Sequence, residues 1–300
     1  MRVTGLVFAL CLSATMSSRA QDAHAGHAAG QAPPAQPAQP PAPRNPRLPP
    51  AEDQAKAALN QSPRHGEYVD VAVAGATPVR AWVVYPERGD KAPVVLVIHE
   101  IFGLSDWIRG VADQFASEGF IAVAPDLISG KGPGGGGTDS VATRDDVVKL
   151  VRELAPADVD ARLNAVRAWA IALPSANGKS ASIGFCWGGG TSFRYAMVQP
   201  ALNAAVVYYG TPPEAGALGA VTAPVLGFYG GDDARVTSTV APTEAAMKAL
   251  GKPYEPHVFD GAGHGFLRAQ SDRSGANMKA TEQAWPRTLE FIREHTKQRP

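Results

Sequence analysis

Hydrophobic and polar positions change rhythm repeatedly along this chain. Glu67–Val73 and Val79–Tyr85 alternate and are rich in β-branched residues, with Gly75 and Pro78 between them, so they read as a β-hairpin. Pro93–His99 opens a continuous apolar run of the kind found in a strand buried on both faces. Helical spacing follows over Asp106–Ser117 through Trp107, Val111 and Phe115, and Gly119 stops it before a short strand at Phe120–Ala124. Arg144–Leu173 is a long helical stretch with a break near Pro156. Strands are then expected at Ser180–Gly184, Ala204–Tyr208, Val225–Tyr229 and Tyr254–Phe259. Helices are expected at Gly189–Val198, Thr243–Leu250 and Ala276–His295. Strands separated by helices predict βαβ units and an α/β fold, a mainly parallel sheet with helices on both faces. In such sheets chemistry gathers at the carboxyl ends of the strands.

Upstream of this domain the rhythm is missing. Met1 and Arg2 precede a short apolar run, Leu6–Leu12, and Ser18-Arg19-Ala20 places small residues around a cut before Gln21. That layout predicts a cleavable signal peptide over residues 1–20 and a periplasmic or secreted protein; the run is too short to anchor in a bilayer. Leu10 in front of Cys11 argues against a lipid anchor. Nine of the 26 prolines lie between Gln31 and Pro50, so residues 21–62 are expected to be a disordered Pro/Ala-rich linker before a domain at 63–300. His24 and His27 within it have no supporting metal ligands.

Composition then narrows the chemistry. With 28 Lys+Arg against 28 Asp+Glu, the chain has no electrostatic case for nucleic acid or an anionic membrane. Of its two cysteines, Cys11 leaves with the leader, and Cys186 remains without a disulfide partner, either buried and inert or kept for reactivity. No zinc spacing such as H-E-x-x-H occurs, and no metal or cofactor is expected.

Gly184-Phe-Cys186-Trp-Gly188 follows a strand and opens a helix, which is a nucleophile elbow with cysteine in place of serine. Its glycines leave room for a sharp strained turn, and the N-terminus of the following helix favours a thiolate. Such an elbow calls for an acid after a later strand and a histidine after the next. Val225–Tyr229 runs into Gly230-Gly-Asp-Asp-Ala-Arg-Val236, where Asp233 fits the acid position and Asp232 the turn. Tyr254–Phe259 runs into Gly261-Ala-Gly-His264-Gly-Phe266. His99-Glu-Ile-Phe-Gly103 ends the first buried strand, where the backbone N–H groups of Ile101 and Trp187 are placed to stabilise an oxyanion. Glu100 is a candidate regulator of the Cys186 thiol. Lys131-Gly-Pro-Gly-Gly-Gly-Gly-Thr138 lacks the ending and the preceding strand of a phosphate loop and reads as a flexible loop beside the pocket.

Together these four segments resemble the dienelactone hydrolase family over roughly residues 65–297. The resemblance implies an α/β-hydrolase fold without a large lid and a Cys186–His264–Asp233 triad, with Glu100 engaging the resting thiol. Phe102 and Arg268, the latter shortly after the histidine, stand at positions implied to contact substrate, and Arg268 would hold an anionic one. Arg144 is the nearest candidate for a second family arginine, and the Gly130–Gly137 loop departs from the family pattern. The expected activity is hydrolysis of small esters or lactones through a thioester, resembling a carboxymethylenebutenolidase. Rival readings are a broad small-ester carboxylesterase, a non-catalytic binding protein that keeps the fold, and a redox-sensing thiol, the last weakened by the lack of a resolving cysteine.

Overall fold

The computed structural model describes residues 44–297. The expected leader, and residues 21–43 of the expected linker, lie outside the described residues. The hairpin is β1 (Gly66–Val73) and β2 (Ala76–Val84), antiparallel, turning at Gly75 with φ +69°. β2 pairs antiparallel with β4 (Ile121–Pro125). From there every neighbour is parallel: β4 with β3 (Ala92–Ile98), then β5 (Ala176–Phe185), β6 (Ala204–Tyr208), β7 (Val225–Gly230) and β8 (Tyr254–Phe259). The order is β1-β2-β4-β3-β5-β6-β7-β8, an open, mostly parallel eight-stranded sheet of the α/β-hydrolase kind.

Period-two alternation on β3 decides how the layers pack. Val94, Leu96 and Ile98 face one core, shared with Val159, Leu163 and Val166 of α4 (Pro156–Ile171). Val95 and Val97 face the other, shared with Trp107, Ile108 and Val111 of α2 (Asp106–Ser117) and Trp285 and Ile292 of α8 (Ala276–Thr296). Every residue of β3 is buried, as its unbroken apolar run requires, and each fully buried Val, Leu or Ile contributes about 1.5–3 kcal/mol relative to exposure. Local chemistry sets the helix starts. The Ser105 hydroxyl caps α2 by accepting from Ile108 N, and Thr143 caps α3 (Arg144–Arg152) by accepting from Asp146 N at 3.1 Å. The expected break near Pro156 falls between α3 and α4, where Pro156 occupies the first turn of the second helix. The remaining helices are α5 (Trp187–Val198), α6 (Ala234–Thr237) and α7 (Val240–Ala249). Among the described residues no helix is long and apolar enough to cross a membrane.

Two expectations need correction. Residues 44–62 are not a featureless linker: they hold α1 (Glu52–Asn60) and bury Leu48, Ala51 and Ala55. Proline lacks an N–H but keeps its carbonyl, and here three such carbonyls accept side-chain donors from the domain. Trp107 Nε1 donates to Pro50 O at 3.0 Å, Gln114 Nε2 to Pro46 O at 3.1 Å and Gln270 Nε2 to Pro49 O at 2.9 Å. Gly110 of α2 makes the approach possible, since a Cβ there would stand 2.7 Å from Pro50 Cγ. The segment is a strap across α2 and the 267–270 turn. The glycine-rich loop, expected to be flexible, is likewise pinned. Asp126 accepts from Thr138 N at 2.6 Å and from Thr138 Oγ1 at 2.9 Å, and Thr138 Oγ1 accepts from Leu104 N at 3.0 Å.

Candidate active site

Cys186 lies between β5 and α5 with φ 54° and ψ −115°, a conformation that L-residues other than glycine rarely adopt. Strain of this kind costs about 1–3 kcal/mol and persists only where neighbours over-determine the backbone. They do so here. Cys186 N donates to Tyr208 O at 3.0 Å, and Gly190 N donates to Cys186 O at 3.2 Å. A Cβ at Gly184 would collide with the backbone of Gly188, and one at Gly188 would meet the carbonyl oxygens of Ile98 and His99. Glycine at both positions lets the elbow press against the end of β3.

At the ends of β7 and β8, His264 Nδ1 lies 2.6 Å from Asp233 Oδ2. Asp233 is buried, and about a third of the His264 side chain is exposed, which leaves the ring's far edge accessible. The neighbouring Asp232 goes elsewhere, pairing with Arg273 at 3.0 Å.

The His99-Glu100 pair is buried. Leu127 N donates to His99 Nε2 at 3.2 Å, so that nitrogen is unprotonated and Nδ1–H donates to Glu100 O at 2.7 Å. Burial holds the His99 pKa below its ordinary value. A neutral ring stacked 5.5 Å from Trp187 thus braces the Glu100 loop against the elbow. Burial raises Glu100 to about 7, with Glu52 adding to the rise and Arg268 and Arg144 opposing it. Arg268 Nε stands 2.9 Å from Glu100 Oε2.

The thiol itself is pushed up to about 11, first by burial and then by the Glu100 charge, while the Trp187 N–H hydrogen bond to the thiol pulls the other way. The α5 start favours a thiolate, but desolvation and the nearby carboxylate outweigh the helix end. Trp187 N–H points at Sγ, beside which an oxyanion would form on attack, and Ile101 lies on the loop after β3 that faces the elbow across Gly188.

Phe102 is half-buried and carries two guanidinium groups, Arg144 at 3.5 Å and Arg268 at 5.4 Å from its ring centroid. Arg144 thus reaches the same site as Arg268. Two further residues were not singled out from the sequence. Tyr209, at φ 42° after β6, is fully buried, packs edge-on against His264 at 5.1 Å, and has a hydroxyl without a hydrogen-bond partner. Its ionisation is opposed first by burial and then by Glu100, with Cys186 also adding, which puts the hydroxyl in the same electrostatic neighbourhood. Its position at the carboxyl end of a central strand was the available signal. Glu52 of α1 pairs with Arg268 and, at 2.8 Å, with Arg144. No pattern in the sequence marks it.

Among the described residues no group of three or more His, Cys, Asp or Glu is placed to hold a metal ion. The Dienelactone hydrolase family matches residues 79–296. A putative carboxymethylenebutenolidase of Salmonella typhimurium is 32% identical over 231 residues, 72% of this chain and 82% of that protein. One from Escherichia coli K12 is 30% identical over 269 residues, 82% and 94% of the two chains. The crystal structure of a putative dienelactone hydrolase from Klebsiella pneumoniae superposes with a TM-score of 0.67 at 29% identity, covering 76% of this chain and 98% of that one.

Proposed function

We propose, for a chain that belongs to the dienelactone hydrolase family, hydrolysis of small ester or lactone bonds by Cys186, His264 and Asp233 through a thioester. The observation that carries this reading is the strained elbow at φ 54°, which lifts Cys186 out of the sheet at a cost that inert packing does not require. The hydrolase type follows from the family; the residue roles are inferred from geometry.

In the proposed sequence, substrate enters beside a protonated thiol. The Cys186 proton passes to His264 Nε2, whose other nitrogen is held by Asp233. The sulfur attacks the carbonyl carbon, an S–C bond forms, and the oxyanion is met by the Trp187 and Ile101 amides. The C–O bond to the leaving group breaks as His264 returns its proton to that oxygen. Water, deprotonated by His264, then adds to the thioester and releases the acid and the thiol. Glu100 favours the protonated thiol at rest. A small-molecule substrate suits this site; export through the 1–20 leader is part of the same proposal.

A panel of small esters and both dienelactone isomers, assayed before and after alkylation of Cys186 at alkaline pH, tests the assignment. Turnover of at least one substrate, lost on alkylation, is expected; a panel wholly untouched by the protein supports the non-catalytic rival. Turnover of simple esters without any dienelactone activity points to the broad carboxylesterase. Activity should also survive dialysis against EDTA, since thiol, imidazole, carboxylate and amides supply the chemistry. A loss restored by zinc overturns the mechanism. N-terminal sequencing of protein from the extracytoplasmic fraction should begin at Gln21; a cytoplasmic pool that retains Met1 contradicts export.

A further inference from the structure

Of the residues that reach this site, Glu52 alone comes from outside the 79–296 segment that matches the family. It opens α1 at the end of the proline strap, and Arg268 grips it twice. Glu52 N donates to Arg268 O at 3.0 Å, and the Arg268 guanidinium pairs with the Glu52 carboxylate. The second carboxylate oxygen pairs with Arg144 at 2.8 Å. Both cations flank Phe102, and Arg268 also meets Glu100, the acid beside the thiol. One carboxylate is therefore held between two arginines at the edge of the site. A cavity of about 390 Å³, lined by Glu52, Phe102, Thr138, Val141 and Arg144 among others, opens next to it.

Two guanidinium groups converging on one point form a receptor for a substrate carboxylate, since each offers a fork of donors. Here the chain supplies its own carboxylate. We propose that Glu52 is a specificity-determining residue: it fills the anion site made by Arg144 and Arg268, so that the enzyme favours neutral esters and lactones over substrates bearing a free carboxylate near the scissile bond. This rests on the hydrolase reading above and extends it to the substrate class. An incoming carboxylate must displace Glu52 or lie beside it, and either course forfeits binding free energy that a neutral ester does not lose. The strap makes displacement harder, because Pro49 and Pro50, fixed by Gln270 and Trp107, hold the start of α1 in place.

The test compares monomethyl succinate, which carries a carboxylate, with dimethyl succinate, which does not. Glu52→Gln removes the charge and keeps the shape, so kcat/KM for the anionic ester relative to the neutral one should rise about tenfold. Asp53→Asn, at the exposed neighbouring position, should leave that ratio as it is. Binding of both esters is measured in parallel by calorimetry in a Cys186→Ala background, with and without Glu52→Gln. The dissociation constant for monomethyl succinate should fall about tenfold relative to that for dimethyl succinate. An unchanged or reduced anionic preference in either measurement overturns the role of Glu52, as does an equal effect from Asp53→Asn. The binding arm decides the matter even where the wild-type protein hydrolyses neither ester, an outcome that counts against the hydrolase reading instead.

Discussion

Cys186→Ala should lower ester turnover by at least about a thousandfold, because no other side chain in the site can form the acyl intermediate. The sequence holds only two cysteines, and the other lies at position 11, in the segment expected to be cleaved. Tyr209 is buried beside the thiol, but its ionisation is strongly opposed, so it offers no nucleophile near neutral pH. Cys186→Ser is the sharper variant. A hydroxyl is far less acidic than a thiol, so the whole burden of deprotonation falls on His264 and Asp233, and a loss of about a hundredfold or more is expected. The elbow also predicts a small effect on stability. With φ at 54°, Cys186→Gly removes backbone strain of about 1–3 kcal/mol, offset in part by the greater freedom of glycine in the unfolded chain. That inactive variant should therefore melt close to the wild type, the strain relieved offsetting the packing lost with the side chain. Full activity in Cys186→Ala would remove the cysteine from the mechanism altogether.

Much of the fold was legible because its signals are local. The unbroken apolar run of β3 reads as a doubly buried strand, and Pro156 marks the start of a helix. The elbow, the aspartate and the histidine were legible for a related reason. Each lies directly after a strand, where the topology of a parallel sheet brings distant segments to one edge, and His264 and Asp233 meet there at 2.6 Å. Glu52 and the strap were not legible. The strap's contacts run from proline carbonyls to side chains 57 to 221 residues away, and those of Glu52 to arginines 92 and 216 residues away; such pairings leave no periodicity. A segment poor in apolar residues reads as solvated until the donors that satisfy it are known. Arg144 was named only as a nearest candidate because the loop before it departs from the family pattern; Asp126, by pinning Thr138, sets where that loop leads. The charge state of the thiol stayed open in the sequence for a different reason. The helix start is visible in the sequence, whereas the desolvation that outweighs it depends on how deeply the folded chain buries the sulfur.

That charge state leads to the second large effect. Iodoacetamide should alkylate Cys186 in the folded protein on the order of a hundredfold more slowly at pH 7 than a free thiol of pKa about 8.5, since only thiolate reacts. The thiol at about 11 sets the size of the deficit. Glu100 makes the effect depend on pH in a defined direction. Its carboxyl is raised to about 7, so below that pH it is mostly neutral and does little to the thiol. As pH rises through 7 the carboxylate forms and opposes a second negative charge beside it. Glu100→Gln should thus label at nearly the wild-type rate at pH 6 and several-fold faster by pH 9, because the opposing carboxylate is gone. Direct pairing of the resting thiol with His264 gives the opposite pattern: rapid alkylation well below pH 8.5, indifferent to Glu100. Rates measured from pH 6 to 9 on both proteins separate the two. A thiol held neutral until substrate arrives would resist adventitious oxidation and alkylation, which matters for an enzyme proposed to work outside the cytoplasm with a single cysteine. Fast, Glu100-independent labelling would remove that protection and return the thiol to an ordinary Cys–His ion pair.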